Sequence, residues 1–172
     1  SDLSASGLLD ALGTADGPSA LLVMGSNIVV SAPRATHVTE RLEALDLLVV
    51  CDVVMSETAA LADVVLPVTQ WAEETGTMTN LEGRVVLRQR AITPPSGVRS
   101  DLEVVAGIAE RLSDVAFATD PEEVFAELGR ASAGGPADYS TITYDRIRDE
   151  GGVFWGGERL FADSFAHADG RA

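Results

Sequence analysis

Gly25-Ser26-Asn27 follows an apolar run at 20–24, and Asp52 follows a second run at 45–51. In an open parallel sheet, ligands bind beyond the carboxyl ends of the strands, near the point where strand order reverses. A glycine such as Gly25 lets a ligand approach the backbone closely. Asn27 offers both a donor and an acceptor, and the Asp52 carboxylate can accept two hydrogen bonds, from a ribose diol or from the N1–H and exocyclic amine of guanine. The same residues also make ordinary turns at strand ends, and Gly-Ser-Asn is not the G-x-G-x-x-G fingerprint, so spacing alone leaves both readings open. Self-contained catalysis has less behind it. The two histidines, His37 and His167, are far apart, and HExxH, CxxC, GxSxG and Walker-type patterns are missing. No catalytic residue and no metal ligand is expected from this chain.

Those residues need elements to position them. A continuous apolar run at 20–24 bounded by turn residues, and the runs at 45–51 and 63–67, apolar except for Asp46 and Asp63, fit strands buried on both faces, as in parallel sheets. Between the first two runs, Val38, Leu42 and Leu45 fall at helical spacing behind Pro33. Residues 20–52 therefore read strand, helix, strand, a right-handed βαβ unit. A short helix is expected at 7–12, and Ser56 should cap another at 57–61. Ser100 and Glu103 make a capping box ahead of Leu102, Val105, Ile108, Ala109 and Leu112. Asp120 and Pro121 open a further helix with Val124, Phe125 and Leu128 on its face. Residues 85–92 read as a strand, stopped by Pro94 and Pro95. The expected architecture is α/β: a Rossmann-like, open, mainly parallel sheet with helices on both faces over residues 1–130. From Ala131, Gly, Ala, Ser and Asp dominate around isolated aromatics, so 131–172 is expected to be an irregular C-terminal extension.

Composition bounds the function. The 172 residues carry 27 acidic and 12 basic side chains, a net charge of −15. That field repels phosphate backbones and anionic lipid surfaces, so neither nucleic acid nor membrane is an expected partner. A single cysteine, Cys51, cannot form an internal disulfide or hold an iron–sulfur cluster. The opening Ser1-Asp2-Leu3-Ser4 lacks the features of a secretion signal, and a cytoplasmic location is expected. One stretch remains conspicuous. Trp71 to Arg84 is a polar, glycine-punctuated loop dense in Thr, Asn, Glu and Arg. Such density points to recognition, the bland alternative being a weak surface pair of Glu82 with Arg84.

Taken in order, these segments are familiar. Gly25-Ser26-Asn27, Cys51-Asp52, Glu57-Thr58-Ala59 through Ala62-Asp63-Val64-Val65-Leu66-Pro67, then Glu73, Gly76-Thr77, Thr79-Asn80 and Glu82-Gly83-Arg84 form a series. The series resembles the molybdopterin oxidoreductase superfamily, of the dimethyl-sulfoxide-reductase type, over about residues 5–113. The ending from Arg159 to Ala172 is similar to the stretch before the last domain of bacterial assimilatory nitrate reductases.

The resemblance implies one of two central α/β domains that grip a bis(molybdopterin guanine dinucleotide) cofactor carrying Mo or W. It implies Asn27, Cys51, Asp52 and Asp101 as cofactor-binding positions, beside Gly25 and Ser26. Where some relatives place a cofactor-contacting lysine, this chain has Glu74, which is assigned no role. The family's [4Fe–4S] cluster and metal-ligating side chain belong to polypeptide not contained in this chain. The expectation is therefore a fragment of a molybdenum-dependent oxidoreductase, first of the nitrate-reducing kind and second a formate dehydrogenase. Its partners would be the remaining domains of the parent and an electron donor. Alone it should bind no cofactor and turn over no substrate. An independent module binding a nucleotide or a protein is the alternative from a different class.

Overall fold

The computed structural model describes residues 5–155. They divide into two compact units, one running to Gln70 and including Pro94–Val104, the other made of Trp71–Thr93 and the chain from Val105 onward.

The first unit contains a three-stranded parallel sheet. Its strands are β1 (Ala20–Met24), β2 (Leu47–Asp52) and β3 (Val64–Pro67), in the order β1-β2-β3. The helices are α1 (Ala5–Ala11), α2 (Ile28–Ser31), α3 (Ala35–Glu43) and α4 (Glu57–Ala60). Side chains alternate across a strand, so each apolar run supplies two apolar faces. Leu21 and Val23, Leu48 and Val50, and Val65 share one face, and pack with Leu8, Leu9, Leu12, Val38, Leu42 and Ala59. Among the described residues, the helices of this core gather on that face. On the opposite face Leu22, Leu47 and Val64 are exposed.

Local boundaries differ from the sequence expectation in ways that have causes. Pro33 does not start the helix. Arg34 intervenes with a left-handed backbone, φ 61°, and α3 begins at Ala35. Arg34 is held there by Asp10, whose Oδ1 accepts from Arg34 Nη2 at 2.7 Å and meets His37 Nε2 at 2.8 Å. The one-turn helix α2 is too short to leave a periodic signature. Ser56 caps α4 as expected, accepting from Ala59 N.

The second unit contains an antiparallel sheet of β4 (Gly76–Thr79), β5 (Arg84–Arg88) and β6 (Val153–Phe154), in the order β4-β5-β6. Here the loop reading of 71–84 is corrected. Gly76–Thr79 is a strand, β4, paired with β5 (Arg84–Arg88). Asn80 Oδ1 accepts from the backbone N–H groups of Glu82 and Arg84, both at 3.0 Å, and Gly83 turns with φ 80°. These residues build a hairpin turn by side-chain-to-backbone bonding. Arg84 lies over the Phe154 ring, 4.6 Å from its centroid. Strand β5 ends at Arg88, short of the expected 92.

Helix α5 (Asp101–Leu112) carries the expected capping box: Ser100 N donates to Glu103 Oε2, and Glu103 N donates to Ser100 Oγ. Its first turn belongs to the first unit. Helix α6 (Pro121–Ser132) is capped by Asp120; Phe125 is buried, whereas Leu128, expected on the same face, is exposed. From Ala131 to Trp155 the chain is more regular than its composition predicts. It forms α7 (Tyr144–Glu150) and β6 (Val153–Phe154). Ile142, Tyr144, Ile147 and Val153 join Val85 and Phe125 in a core, with Tyr139 and Trp155 packed against it. The aromatics are cross-links between elements: Phe125 meets Tyr139 edge-on at 6.1 Å and Tyr144 at 5.8 Å. Phe161 and Phe165 lie outside the described residues, as does the motif at 159–172.

Candidate functional site

The site is set by two neighbouring parallel strands. Met24 pairs with Cys51 in the β1–β2 ladder, so both strands end on the same edge of the sheet. Gly25 N donates to Cys51 O at 2.9 Å, which carries the pairing one residue past β1. Gly25 then turns out of the sheet with φ 56°, and its α-carbon faces open space, with nothing within 4 Å of where a β-carbon would stand. Ser26 and Asn27 follow, both half-buried. Sequential order β1-β2-β3 leaves β1 on the outside, so the described strands themselves contain no reversal of strand order.

The N-terminus of α4 joins the two strand ends. Asn27 Nδ2 donates to Glu57 Oε2 at 2.6 Å, and Asn27 Oδ1 accepts from Thr58 Oγ1 at 2.9 Å and Thr58 N at 3.3 Å. Asp52 Oδ2 accepts from Ser56 Oγ at 2.7 Å, while its Oδ1 accepts from Val53 N at 2.7 Å. Three consecutive residues, Ser56, Glu57 and Thr58, thus hold the side chains that end β1 and β2. Thr58 is fully buried and also accepts from Val29 N at 3.1 Å, tying α2 to α4. Asn27 retains one amide hydrogen, and each Asp52 oxygen retains acceptor capacity. The hydrogen bond from Asn27, with that from its own backbone N–H, holds the Glu57 carboxyl below its ordinary range.

Asp101 and Thr69 form the other side. An isolated parallel bridge joins Val68 to Arg99, and Thr69 N donates to Arg99 O at 3.0 Å, which anchors the start of α5 beside the end of β3. Asp101 Oδ1 and Thr69 Oγ1 are buried and have no hydrogen-bond partner among the described residues. Burial pushes the Asp101 carboxyl above the usual carboxylate range. Cys51 is 0% exposed; burial raises its thiol pKa, and the nearby Asp101 charge raises it further. Any grip that Cys51 exerts on a ligand falls to its backbone and to the floor it forms.

The structure thus brings Asn27 and Asp52 onto one hydrogen-bonded frame, and Cys51 and Asp101 near each other. Sequence reading missed Glu57, Thr58 and Thr69. The signal for the first two was the run Ser56-Glu57-Thr58 shortly after Asp52, read there as a cap and as part of the family series but not as site residues. Glu74, assigned no role, lies 3.7 Å from Arg88. A cavity of about 520 Å³ in the second unit, lined among others by Phe125, Arg130 and Tyr144, contains none of the site residues.

The residues fit a polar ligand with hydrogen-bond donors. An unpaired buried carboxylate oxygen costs free energy unless a donor reaches it, and a donor-rich base edge is such a partner. Among the described residues, no helix is long and apolar enough to cross a membrane.

Comparison with known proteins identifies the family. Residues 5–111 match the family described as Molybdopterin oxidoreductase. The chain is 43% identical over 162 residues to the assimilatory nitrate reductase catalytic subunit of Bacillus subtilis, covering 88% of this chain and 23% of that protein. It is 38% identical over 161 residues to the F420-dependent formate dehydrogenase subunit alpha of Methanocaldococcus jannaschii, again 88% of this chain and 23% of the relative. Among solved structures it resembles acetylene hydratase from Pelobacter acetylenicus, with a TM-score of 0.57 and 26% identity over 62% of this chain and 15% of that one. The chain therefore spans less than a quarter of the relatives it matches. A family match across residues 5–111 and relatives of this identity lead to one conclusion: the chain belongs to the molybdopterin oxidoreductase family, whose cofactor is a molybdopterin carrying molybdenum or tungsten.

Proposed function

We propose that this chain is the part of a larger oxidoreductase that holds the guanosine end of a bis(molybdopterin guanine dinucleotide). The observation that carries the reading is the buried, unpaired Oδ1 of Asp101 beside the β1–β2 edge. Guanine presents N1–H and an exocyclic amine side by side, and a carboxylate can accept from both. Gly25 and Ser26 offer backbone and hydroxyl at an open turn, Asn27 one amide hydrogen, and Asp52 acceptors for a ribose diol. Thr69 supplies a buried hydroxyl beyond the end of β3. The bound cofactor supplies the redox chemistry at its metal; these residues bind and orient its far end. No residue here is assigned to proton transfer or to the metal.

The parent is proposed to be an assimilatory nitrate reductase, reducing nitrate to nitrite in the cytoplasm, with a [4Fe–4S] cluster in another domain and a separate electron donor. The greater identity to the Bacillus subtilis nitrate reductase subunit, 43% against 38% for the formate dehydrogenase subunit, supports that order. Formate oxidation is the second reading, and assay of the intact parent with nitrate and formate against a viologen dye separates the two.

The site is tested by Asp101→Ala and Asp52→Ala in the intact parent. Each should lower molybdenum content and the guanine released by hydrolysis, because a charge-assisted acceptor is lost. Wild-type content in both variants overturns the reading.

A further inference from the structure

In the second unit, helix α6 and the segment at 140–144 enclose the cavity of about 520 Å³, a size at which small molecules bind. Its floor is apolar and buried, made by Phe125, Gly129 and Ile142. Gly129 lets α6 come close to the chain opposite; a β-carbon there would stand 3.3 Å from the Tyr139 carbonyl oxygen. Ala126, one turn earlier on α6, is exposed and leaves the space unfilled.

Two polar groups lining this space have nothing to bond. Tyr144 is only 4% exposed, and its hydroxyl has no hydrogen-bond partner among the described residues. A buried hydroxyl left in that state costs free energy until a partner reaches it. Burial pushes the phenol above its ordinary range, and the charges of Glu122 and Asp120 push it further, so near neutral pH it keeps its proton and can donate. Glu122, also on the cavity wall, uses Oε2 to accept from Arg148 Nη2 at 3.2 Å and keeps its other oxygen. The second group is Arg130, which is exposed and makes no ion pair among the described residues, although the chain has 27 acidic side chains to 12 basic ones.

We propose that this cavity binds a small hydroxyaryl carboxylate, with its carboxylate on Arg130, its ring on Phe125 and Ile142, and its hydroxyl accepting from Tyr144 and donating to Glu122. The rise from Glu122 to Arg130 along α6 is about 12 Å, the scale of one ring bearing a short acid chain. Charge sets the ligand's direction: the guanidinium attracts an anion at one end, and the Glu122 carboxylate repels one at the other. None of these residues belongs to the strand edge that meets the cofactor, so the proposal does not rest on the guanosine reading.

The test is calorimetric titration of the intact parent with 3-(4-hydroxyphenyl)propanoate. It should bind saturably at a single site. The probe without the hydroxyl, 3-phenylpropanoate, should bind about fivefold more weakly, the effect of one neutral hydrogen bond. Tyr144→Phe should lose most of that difference, and Arg130→Gln should weaken both probes about tenfold. Ala126→Leu places a strong helix former at an exposed helical position, so the fold survives while the cavity fills, and binding should disappear. Absence of saturable binding overturns the proposal. So does equal affinity for the two probes, or binding that Arg130→Gln and Ala126→Leu both leave unchanged. None of these readouts is cofactor content, so failure here and failure of the guanosine reading are distinguishable.

Discussion

At the scale of single residues, one side chain can serve both fold and ligand, and substitutions separate the two roles. Asn27 is the clearest case. Its Oδ1 satisfies the buried Thr58 hydroxyl, so Asn27→Ala leaves a buried donor unmatched and should destabilise the protein by about 1–3 kcal/mol, measured by urea unfolding. Asn27→Asp keeps that acceptor but sets a second carboxylate against Glu57, now 2.6 Å from the amide nitrogen. This variant should be weak near neutral pH and recover as the pH falls and one of the two carboxyls takes a proton. Asp101 has the opposite electrostatics. Its carboxyl is raised by burial, so the folded state holds its proton more tightly than the unfolded chain. The proton is bound in both states at low pH, and stability falls as the pH rises from the ordinary carboxylate range through the raised folded value. Asp101→Asn should abolish that decline and raise the melting temperature of the cofactor-free protein near pH 7. The same change should lower cofactor retention in the intact parent. A variant that melts like wild type at every pH rules out the electrostatic account.

At the scale of elements, turn chemistry decides more than composition suggested. Gly25 combines a positive φ with empty space around its α-carbon, so Gly25→Ala meets strain rather than a clash. The expected cost is about 1–2 kcal/mol from the left-handed backbone, read as a lower urea midpoint. Asn80→Ala removes the acceptor for two backbone N–H groups in the β4–β5 turn. It should cost about 0.5–1.5 kcal/mol and speed amide exchange at Glu82 and Arg84, leaving cofactor content unchanged. A recognition role for the 71–84 loop would instead show as lost cofactor. Helix caps at Ser56, Ser100 and Asp120, and all three parallel strands, were legible in the sequence, because caps and apolar runs are local signals. The one-turn helix α2, the strand β4 and the elements after Ala131 were not. Their signals are a few residues long, and the last depend on Phe125 and Val85, which come from elsewhere in the chain.

At the scale of the whole molecule, charge and exposed apolar surface act in opposite senses. A net charge of −15 favours solubility but repels itself in the compact state. Raising the salt concentration should therefore raise the melting temperature of the 172-residue chain, followed by circular dichroism. A falling melting temperature would show that local ion pairs such as Asp10 with Arg34 outweigh the global repulsion. Apolar side chains lie exposed beside the site as well as on the sheet: Val53, Val54 and Met55 fill the loop between Asp52 and Ser56. Their exposure accords with a chain that spans less than a quarter of its relatives' length.

The amino-acid sequence by itself determined the family, the parallel strands and the positions of Asn27, Asp52 and Asp101 at element ends, since apolar runs, caps and an ordered series of short motifs are properties of neighbouring residues. Only the tertiary structure decided that Ser56, Glu57 and Thr58 hold the two strand ends, that Asp101 and Thr69 keep oxygens unpaired among the described residues, and that one apolar face of the sheet is partly exposed. Hydrogen bonds across about thirty residues, and the burial of an oxygen atom, depend on which segments fold against one another, and no local pattern encodes that.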